Sequence, residues 1–324
     1  MFELHIPELI QADARRIPLA DSSVQCIVTS PPYWGLRKYE GAQDRVWEQE
    51  PGCEHQWGKE KRIRQAPQRD HAKGGGFAKT RATEAARKGM AFEASQGCFC
   101  STCGAWKGSY GLEPTVELYV QHTIEIIREC SRVLRDDGLL FLNVSDTYKN
   151  KGLVCVPERV TIAARQDGWL VRDRIIWAKP NPMPESVKDR FTDSYEPVLM
   201  LAKSPRYYWN PEAARETATS KDAGADGQRN MRNVWTIALQ PYGGAHFAAF
   251  PEELVRRCIT PATKPGDLVL DPFGGSGTTG KVAMELGRRS ILLDVNYGDK
   301  GSYEELARQR FQKLLASKAR LKRR

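Results

Sequence analysis

Asp271-Pro-Phe-Gly-Gly-Ser-Gly-Thr-Thr-Gly280 is the stretch on which the fold turns. It follows Asp267-Leu-Val-Leu-Asp271, a short apolar run of the kind that forms a buried parallel strand. Gly274, Gly275, Gly277 and Gly280 then fall within seven positions. Glycine reaches positive φ without strain and lets a ligand approach the main chain closely. Thr278 or Thr279 is placed to cap a helix through Lys281–Leu286, which Gly287 would end. A strand, a glycine turn and a helix put a ligand at the carboxyl end of a sheet. No Gly-Lys-Ser/Thr is present, so this is not a phosphate loop, and the spacing is not that of the dinucleotide fingerprint. Arg288–Asp294 reads as a second strand, ending in an acid where ribose hydroxyls would be accepted. The turn therefore predicts a nucleoside cofactor held by Asp271, Phe273, Gly274, Gly275, Ser276, Gly277, Thr278 and Asp294. An ordinary tight turn in an α/β protein is the plainer reading, and two acids at ligand positions disfavour it.

The second motif is Thr29-Ser-Pro-Pro-Tyr-Trp34, after the strand-like Gln25-Cys-Ile-Val-Thr29. Two prolines fix φ and remove two backbone donors, giving a rigid turn with uncommitted carbonyls. The Ser30 hydroxyl and the Pro31 carbonyl can both accept from one NH₂ group, with Pro32 stiffening the turn and Tyr33 stacking on a flat base. An exocyclic amine is a poor nucleophile because its lone pair is delocalised into the ring. Two acceptors that draw the nitrogen toward tetrahedral geometry localise that pair, so positioning and fixed dipoles do most of the work. Ser-Pro-Pro-Tyr alone is usually a loop; the glycine turn in the same chain gives it weight.

Together these residues resemble the β-class DNA amino-methyltransferases, which use S-adenosylmethionine and modify cytosine N4 or adenine N6. In that family the amine-binding motif precedes the cofactor motif, as here. The resemblance extends through Glu8–Asp13, Ser22–Tyr33, Val133–Asp146, Ile176–Pro182, Asp189–Pro197 and His246–Leu254. It implies that Asp13 holds the cofactor's adenine, that Phe250 belongs to the segment packed on its methionine end, and that 176–197 lines the target-base pocket. The implied fold is α/β, a doubly wound Rossmann-like sheet with permuted motif order, formed by 1–36 and 113–324. Serine at the first motif position is more typical of the cytosine-N4 group, so that amine is expected, with adenine N6 as the alternative.

Composition agrees. A chain of 324 residues can bury one large core with an inserted lobe. Its net charge of +9 suits a polyanion such as double-stranded DNA. No apolar run approaches the roughly 20 residues of a membrane span, and Glu3, His5 and Glu8 interrupt any signal-peptide core. A cytoplasmic protein of prokaryotic or phage type is expected. A homodimer and a cognate restriction nuclease are both compatible with the sequence. Cys26, Cys130, Cys155 and Cys258 lie singly in apolar segments and read as reduced core cysteines.

Residues 37–112 break the α/β rhythm and read as an inserted basic lobe. Lys59 to Lys88 holds ten basic residues against three acids, around Gly74-Gly-Gly76. This loop is expected to contact phosphates and to order on DNA. Cys100-x-x-Cys103 lets two thiolates reach one ion, and Cys53 with His55 could complete a structural Cys₃His zinc site. Free surface cysteines are the plainer alternative, and Cys98 could replace one ligand. The irregular stretch 206–244 lies where the family keeps its target-recognition segment. It carries Lys221, Arg229, Asn230, Arg232, Asn233 and Gln240, types that read base edges.

Helices are expected over Val116–Leu134, Pro157–Asp167 and Pro251–Thr260, with Gly138 and Gly168 stopping the first two. Another is expected from Arg308 to the basic end, packing Leu306, Phe311, Leu314 and Leu315. Rival functions are a methyltransferase of protein glutamine or RNA, disfavoured by motif order, and a non-catalytic zinc-bearing DNA-binding module, disfavoured by two intact motifs.

Overall fold

The computed structural model describes residues 4–35, 43–65, 92–182, 184–218, 224, 226–239, 250–298 and 303–321. These divide into two compact units. The first comprises described residues up to Pro31, from Thr123 to Leu239 and from Phe250 onward. The second comprises described residues from Pro32 to His122.

The first unit is built on an eight-stranded mixed sheet. In chain order its strands are β1 (Glu8–Gln11), β2 (Val24–Thr29), β3 (Leu134–Asn143), β4 (Leu170–Ala178), β5 (Tyr195–Ala202), β6 (Val234–Thr236), β7 (Leu268–Asp271) and β8 (Arg289–Asp294). Across the sheet the order is β1-β8-β7-β2-β3-β5-β4-β6. The first five run parallel; β5 is antiparallel to both neighbours, and β6 is parallel to β4. The two C-terminal strands β8 and β7 thus lie between the N-terminal strands β1 and β2 in one sheet, the permuted α/β order expected from the motifs. All six residues of β2 are buried, as a central strand covered on both faces requires. Cys26 and Val28 join the core with Leu139, Phe141, Val269 and Val282, while Ile27 and Leu140 are buried on the other face.

Helices α1 (Val116–Val133), α2 (Val156–Gln166), α3 (Glu252–Ala262), α4 (Thr278–Glu285) and α5 (Tyr303–Leu321) complete the described elements that matter here. The expected C-terminal helix forms, and Phe311 and Leu314 pack with Met284, Leu292 and Tyr297 while Leu315 lies against them. Gly168, with φ +98°, follows α2 as expected.

Three expectations are corrected. Gly138 does not stop α1, because β3 starts at Leu134 and runs through it. A Cβ there would sit 2.9 Å from the Gln25 carbonyl and 2.7 Å from Leu134, so this glycine admits close strand packing. Thr278 and Thr279 do not cap α4; Gly277 holds the N-cap position at φ 82°, and the Thr279 hydroxyl turns to Asp271 instead. Cys155 is not a core cysteine. It is half-buried at φ 61°, at the N-cap of α2, whereas Cys26, Cys130 and Cys258 are buried.

The second unit contains a three-stranded antiparallel sheet of Arg45–Trp47, Trp106–Gly108 and Cys98–Phe99. Arg62–Gln65 pairs with Phe92–Ser95 in a separate hairpin. The His122 ring stacks 4.1 Å from Trp47 and 5.3 Å from Trp106. The basic loop beyond Gln65, including Gly74–Gly76, lies outside the described residues.

Candidate functional site

The two motifs meet in the first unit because β2 and β7 are neighbours. Their parallel register sets Cys26 beside Val269 and Ile27 beside Leu270, so both strands end at the same edge. At that edge the Thr29 hydroxyl donates to Asp271 Oδ1 at 2.8 Å, joining residues 242 apart in sequence. Thr279 donates to Asp271 Oδ2 at 2.7 Å, and the Phe273 N–H donates to Oδ1 at 3.1 Å. Asp271 is buried and ties β2, β7 and α4 together. Burial pushes its carboxyl up to about 6, opposed by the hydrogen bonds from Thr279, Thr29 and Phe273.

Asp294 ends β8, the strand on the other side of β7. Its carboxylate accepts from Gly275 N–H at 3.2 Å and Asn296 N–H at 2.9 Å. Burial raises its pKa, and those two donors offset part of the rise. Gln11 of β1 pairs with Asp294, so Asp13 follows two residues past the next strand end. The Asp13 carboxylate is held by Arg15, with Nη2 at 2.7 Å. Three acids therefore end or follow adjacent strands on one edge.

The glycines of the turn have separate reasons. A Cβ on Gly274 would lie 2.6 Å from Leu292 Cβ and 2.7 Å from the Tyr297 hydroxyl. One on Gly277 would lie 2.8 Å from Ala307 Cβ and 2.9 Å from Phe311 Cζ, with φ at +82°. Gly280 lies in α4, where a Cβ would press on Leu292 and Pro7. Gly275 differs: at φ +47°, its Cβ would meet, among the described residues, only the Phe273 carbonyl, at 3.8 Å. Ser276 and Thr278 are buried, and Thr278 Oγ1 accepts from Arg310 at 2.6 Å. Phe273 is half-buried, while Phe250 lies in the core with Leu254 and Val282.

This edge fits a nucleoside cofactor. Asn296 Oδ1 is buried beside Asp294 in sequence and has no hydrogen-bond partner among the described residues. Gly275 leaves room for a ligand beside its Cα among the described residues, while its N–H and carbonyl are held by Asp294 and by the Tyr297 hydroxyl at 2.9 Å, and Asp294 retains acceptor capacity. Bound S-adenosylmethionine would draw on Asp294, Asn296 and the 273–278 turn.

Ser30 follows β2 and is half-buried; Pro31 is buried. Thr29 pairs with Leu142 of β3, which puts the Ser30 backbone alongside Asn143 at the next register position. Asn143 Nδ2 donates to Glu196 Oε2 at 2.7 Å, and Lys179 pairs with the other oxygen of Glu196. Of these three, only Asn143 belongs to the polar run after Phe141-Leu142; Lys179 and Glu196 lie in the 176–197 segment, and the antiparallel register of β5 with β3 and β4 brings them together. In the stretch 206–244, Arg229 pairs with Glu216 at 3.0 Å and Asn233 donates to Asp173 at 3.0 Å. Asn230 pairs with Arg215 in a short hairpin, and Lys221 and Gln240 lie outside the described residues, as does 246–249.

Pro32 and Tyr33 belong to the second unit, where neighbours fix their backbone. Tyr119 OH donates to the Pro32 carbonyl at 3.0 Å, and Trp34 Nε1 donates to the Glu113 carbonyl at 2.9 Å. The Glu113 side chain is fully buried; it accepts from Gly111 N–H at 2.9 Å and lies 3.0 Å from His122 Nδ1. Burial pushes its carboxyl up to about 8.

The same unit gathers Cys53, His55, Cys100 and Cys103, whose donor atoms all lie within 4.8 Å of one another. Cys53 Sγ is 4.0 Å from Cys100 Sγ, and Cys103 Sγ is 3.4 Å from His55 Nδ1. Tetrahedral zinc, with Zn–S about 2.3 Å and Zn–N about 2.0–2.1 Å, spaces its donors by roughly 3.5–3.8 Å. Burial works against ionising Cys100, but hydrogen bonds from the Cys103 backbone, His55 and the Thr102 backbone bring its thiol down to about 5. Cys98 is outside the cluster.

Residues 24–300 match the family model described as DNA methylase, N6/N4 type. The chain is 35% identical to the Type II methyltransferase M.Cfr9I of Citrobacter freundii, over 96% of this chain and 89% of that protein. It is 33% identical to M.SmaI of Serratia marcescens, over 94% and 90%. Among solved structures, the PvuII DNA methyltransferase, titled cytosine-N4-specific, superposes with a TM-score of 0.59 at 17% identity, covering 97% of this chain and 94% of that one. TTHA0409 of Thermus thermophilus, solved with S-adenosyl-L-methionine, gives 0.54 at 20% identity, over 95% and 94%. At those identities the likeness is one of fold. The family match over most of the chain, together with two curated relatives along nearly its whole length, places this protein in the N4/N6 DNA methylase family.

Proposed function

We propose that the chain is a site-specific DNA methyltransferase that moves a methyl group from S-adenosylmethionine to the exocyclic amine of a flipped base, cytosine N4. The observation that carries this reading is the Thr29–Asp271 hydrogen bond, which joins the start of the amine-binding turn to the start of the glycine turn. Bound S-adenosylmethionine would supply a methyl group on a sulfonium, with a neutral thioether as leaving group. Asp294 and Asn296 would hold its nucleoside part, which would pack against the turn beside Gly275. The Ser30 hydroxyl and Pro31 carbonyl would accept the two amine hydrogens, localising the nitrogen lone pair and aiming it at the methyl. Tyr33, three residues further along the chain, would stack on the base. The target must leave the duplex first, since its amine is otherwise paired and stacked. The match to the family model described as DNA methylase supports DNA as substrate. Serine at position 30 favours cytosine over adenine, by resemblance.

The second unit would carry one structural zinc on Cys53, His55, Cys100 and Cys103. The donor set is closed, with four protein ligands, as in structural rather than catalytic sites. No helix among the described residues is long and apolar enough to cross a membrane.

Labelled methyl transfer to DNA, followed by nucleoside mass spectrometry, tests the reaction and the base together. N4-methylcytosine is expected. N6-methyladenine would overturn the base assignment, and no transfer to any DNA would overturn the reaction.

A further inference from the structure

Phe191 is 96% exposed, the most exposed large hydrophobic side chain among the described residues. Leaving a phenyl ring in water forgoes the stabilisation of burying it. Its loop is nonetheless braced. Arg190 makes a two-pronged pair with Glu185, at 2.8 and 3.2 Å, and also donates to the Phe191 carbonyl at 2.9 Å. The Asp193 N–H donates to Glu185 at 3.1 Å. The Arg190 guanidinium lies 3.8 Å above the Tyr148 ring, and Lys151 pairs with Asp189 at 2.8 Å. Those two contacts lock the loop to the hairpin of Tyr148–Lys149 and Gly152–Leu153, where Tyr148 and Leu153 are also exposed.

The place of this platform follows from topology within the first unit. β4 runs antiparallel to β5, and β5 antiparallel to β3, so β3 and β4 point the same way as β2. The hairpin follows the end of β3 and the Phe191 loop follows the end of β4. Both therefore emerge at the edge where Thr29 ends β2 and Ser30 follows it. An exposed aromatic ring on a loop braced by ion pairs, in a loop and hairpin that carry Lys149, Lys151, Lys188 and Arg190 against Glu185, Asp189 and Asp193, suits a stacked polyanion better than an apolar protein face.

We infer that Phe191 is a wedge that enters the base stack of duplex DNA and fills the gap left by the extruded target nucleotide. The inference rests on the methyl-transfer reading above. Apolar wedges between base steps offset unstacking by stacking a side chain in place of a base. Glu185, Arg190 and Tyr148 are positioning residues, because a wedge must not fold back when it meets the duplex.

The test uses the full chain and a duplex bearing its mapped methylation site, either fully paired or with a mismatch opposite the target base. Phe191→Ala should slow single-turnover methylation of the paired duplex by about tenfold or more, and that of the mismatched duplex by less than about threefold, because an unpaired base costs little to extrude. Phe191→Trp should keep most of the wild-type rate, and S-adenosylmethionine affinity should not change in either variant. An equal loss on both duplexes would overturn the wedge and make Phe191 part of the base pocket or the scaffold. An unchanged rate on the paired duplex would also overturn it. Wild-type protein that transfers no methyl to either duplex would instead overturn the reaction on which the inference stands.

Discussion

Two glycines two residues apart, Gly275 and Gly277, should fail in different ways when given a methyl group. In Gly277→Ala the new Cβ would press on Ala307 at 2.8 Å and Phe311 at 2.9 Å, both on α5, at φ +82°. Holding a non-glycine residue in the left-handed region costs roughly 1–2 kcal/mol, and overpacking a filled core adds roughly 1–3 kcal/mol. The total, about 2–5 kcal/mol, should lower Tm by on the order of 10 °C for a unit of this size. Gly275→Ala meets nothing closer than 3.8 Å, so its stability cost is only the backbone term of about 1–2 kcal/mol. Among the described residues no side chain blocks a Cβ at Gly275, and we propose that the space beside it is the cofactor's. Gly275→Ala should therefore weaken S-adenosylmethionine binding by about tenfold or more, at roughly the 1.4 kcal/mol that each factor of ten represents. Calorimetric titration and thermal melts on both variants check this. Wild-type affinity in Gly275→Ala, or a Gly277→Ala protein as stable as wild type, would refute the division of labour.

Ser30→Ala should reduce the single-turnover methylation rate by about a hundredfold while leaving S-adenosylmethionine affinity unchanged, as removal of one preorganised polar contact does; lost cofactor affinity at an unchanged rate would contradict it. Purified protein should carry about one zinc per chain by elemental analysis, and Cys100→Ser should lose the metal and melt earlier; metal-free wild-type protein would end that proposal. Asp271 titrates at about 6 when folded against about 3.9 unfolded, so the folded state binds the proton more tightly. Its contribution is fully present below the unfolded value and is lost as pH rises through about 6, a difference on the order of 3 kcal/mol. Asp271→Asn should remove that slope, so urea midpoints of the two proteins should diverge between about pH 4 and 7; parallel profiles would refute it.

The glycine turn was legible because its signal is local: an apolar run, an acid and glycines at close spacing. The same is true of Cys100-x-x-Cys103. What the spacing concealed was why each glycine is there. Gly274, Gly277 and Gly280 are demanded by Leu292, Tyr297, Ala307 and Phe311 on elements that follow later in the chain. Thr279 reads as a cap in the chain, but in the fold a buried carboxylate competes for its hydroxyl and wins. Gly138 reads as a stop, but a neighbouring strand needs its missing side chain. Asn143 and Glu196 could not be paired from sequence, since their contact depends on an antiparallel register between residues 53 apart.

By itself, the sequence determined the elements and the chemistry each carries: apolar runs that become buried strands, two prolines that expose a carbonyl, four donors with a metal's preferences. Tertiary structure alone decided that β7 lies beside β2, so that Thr29 and Asp271 touch. Side-chain periodicity says which face of a strand is buried, but it does not say which strand lies next to it. That is fixed by the packing of the whole sheet, and with it the place where a bound methyl donor and a base could meet.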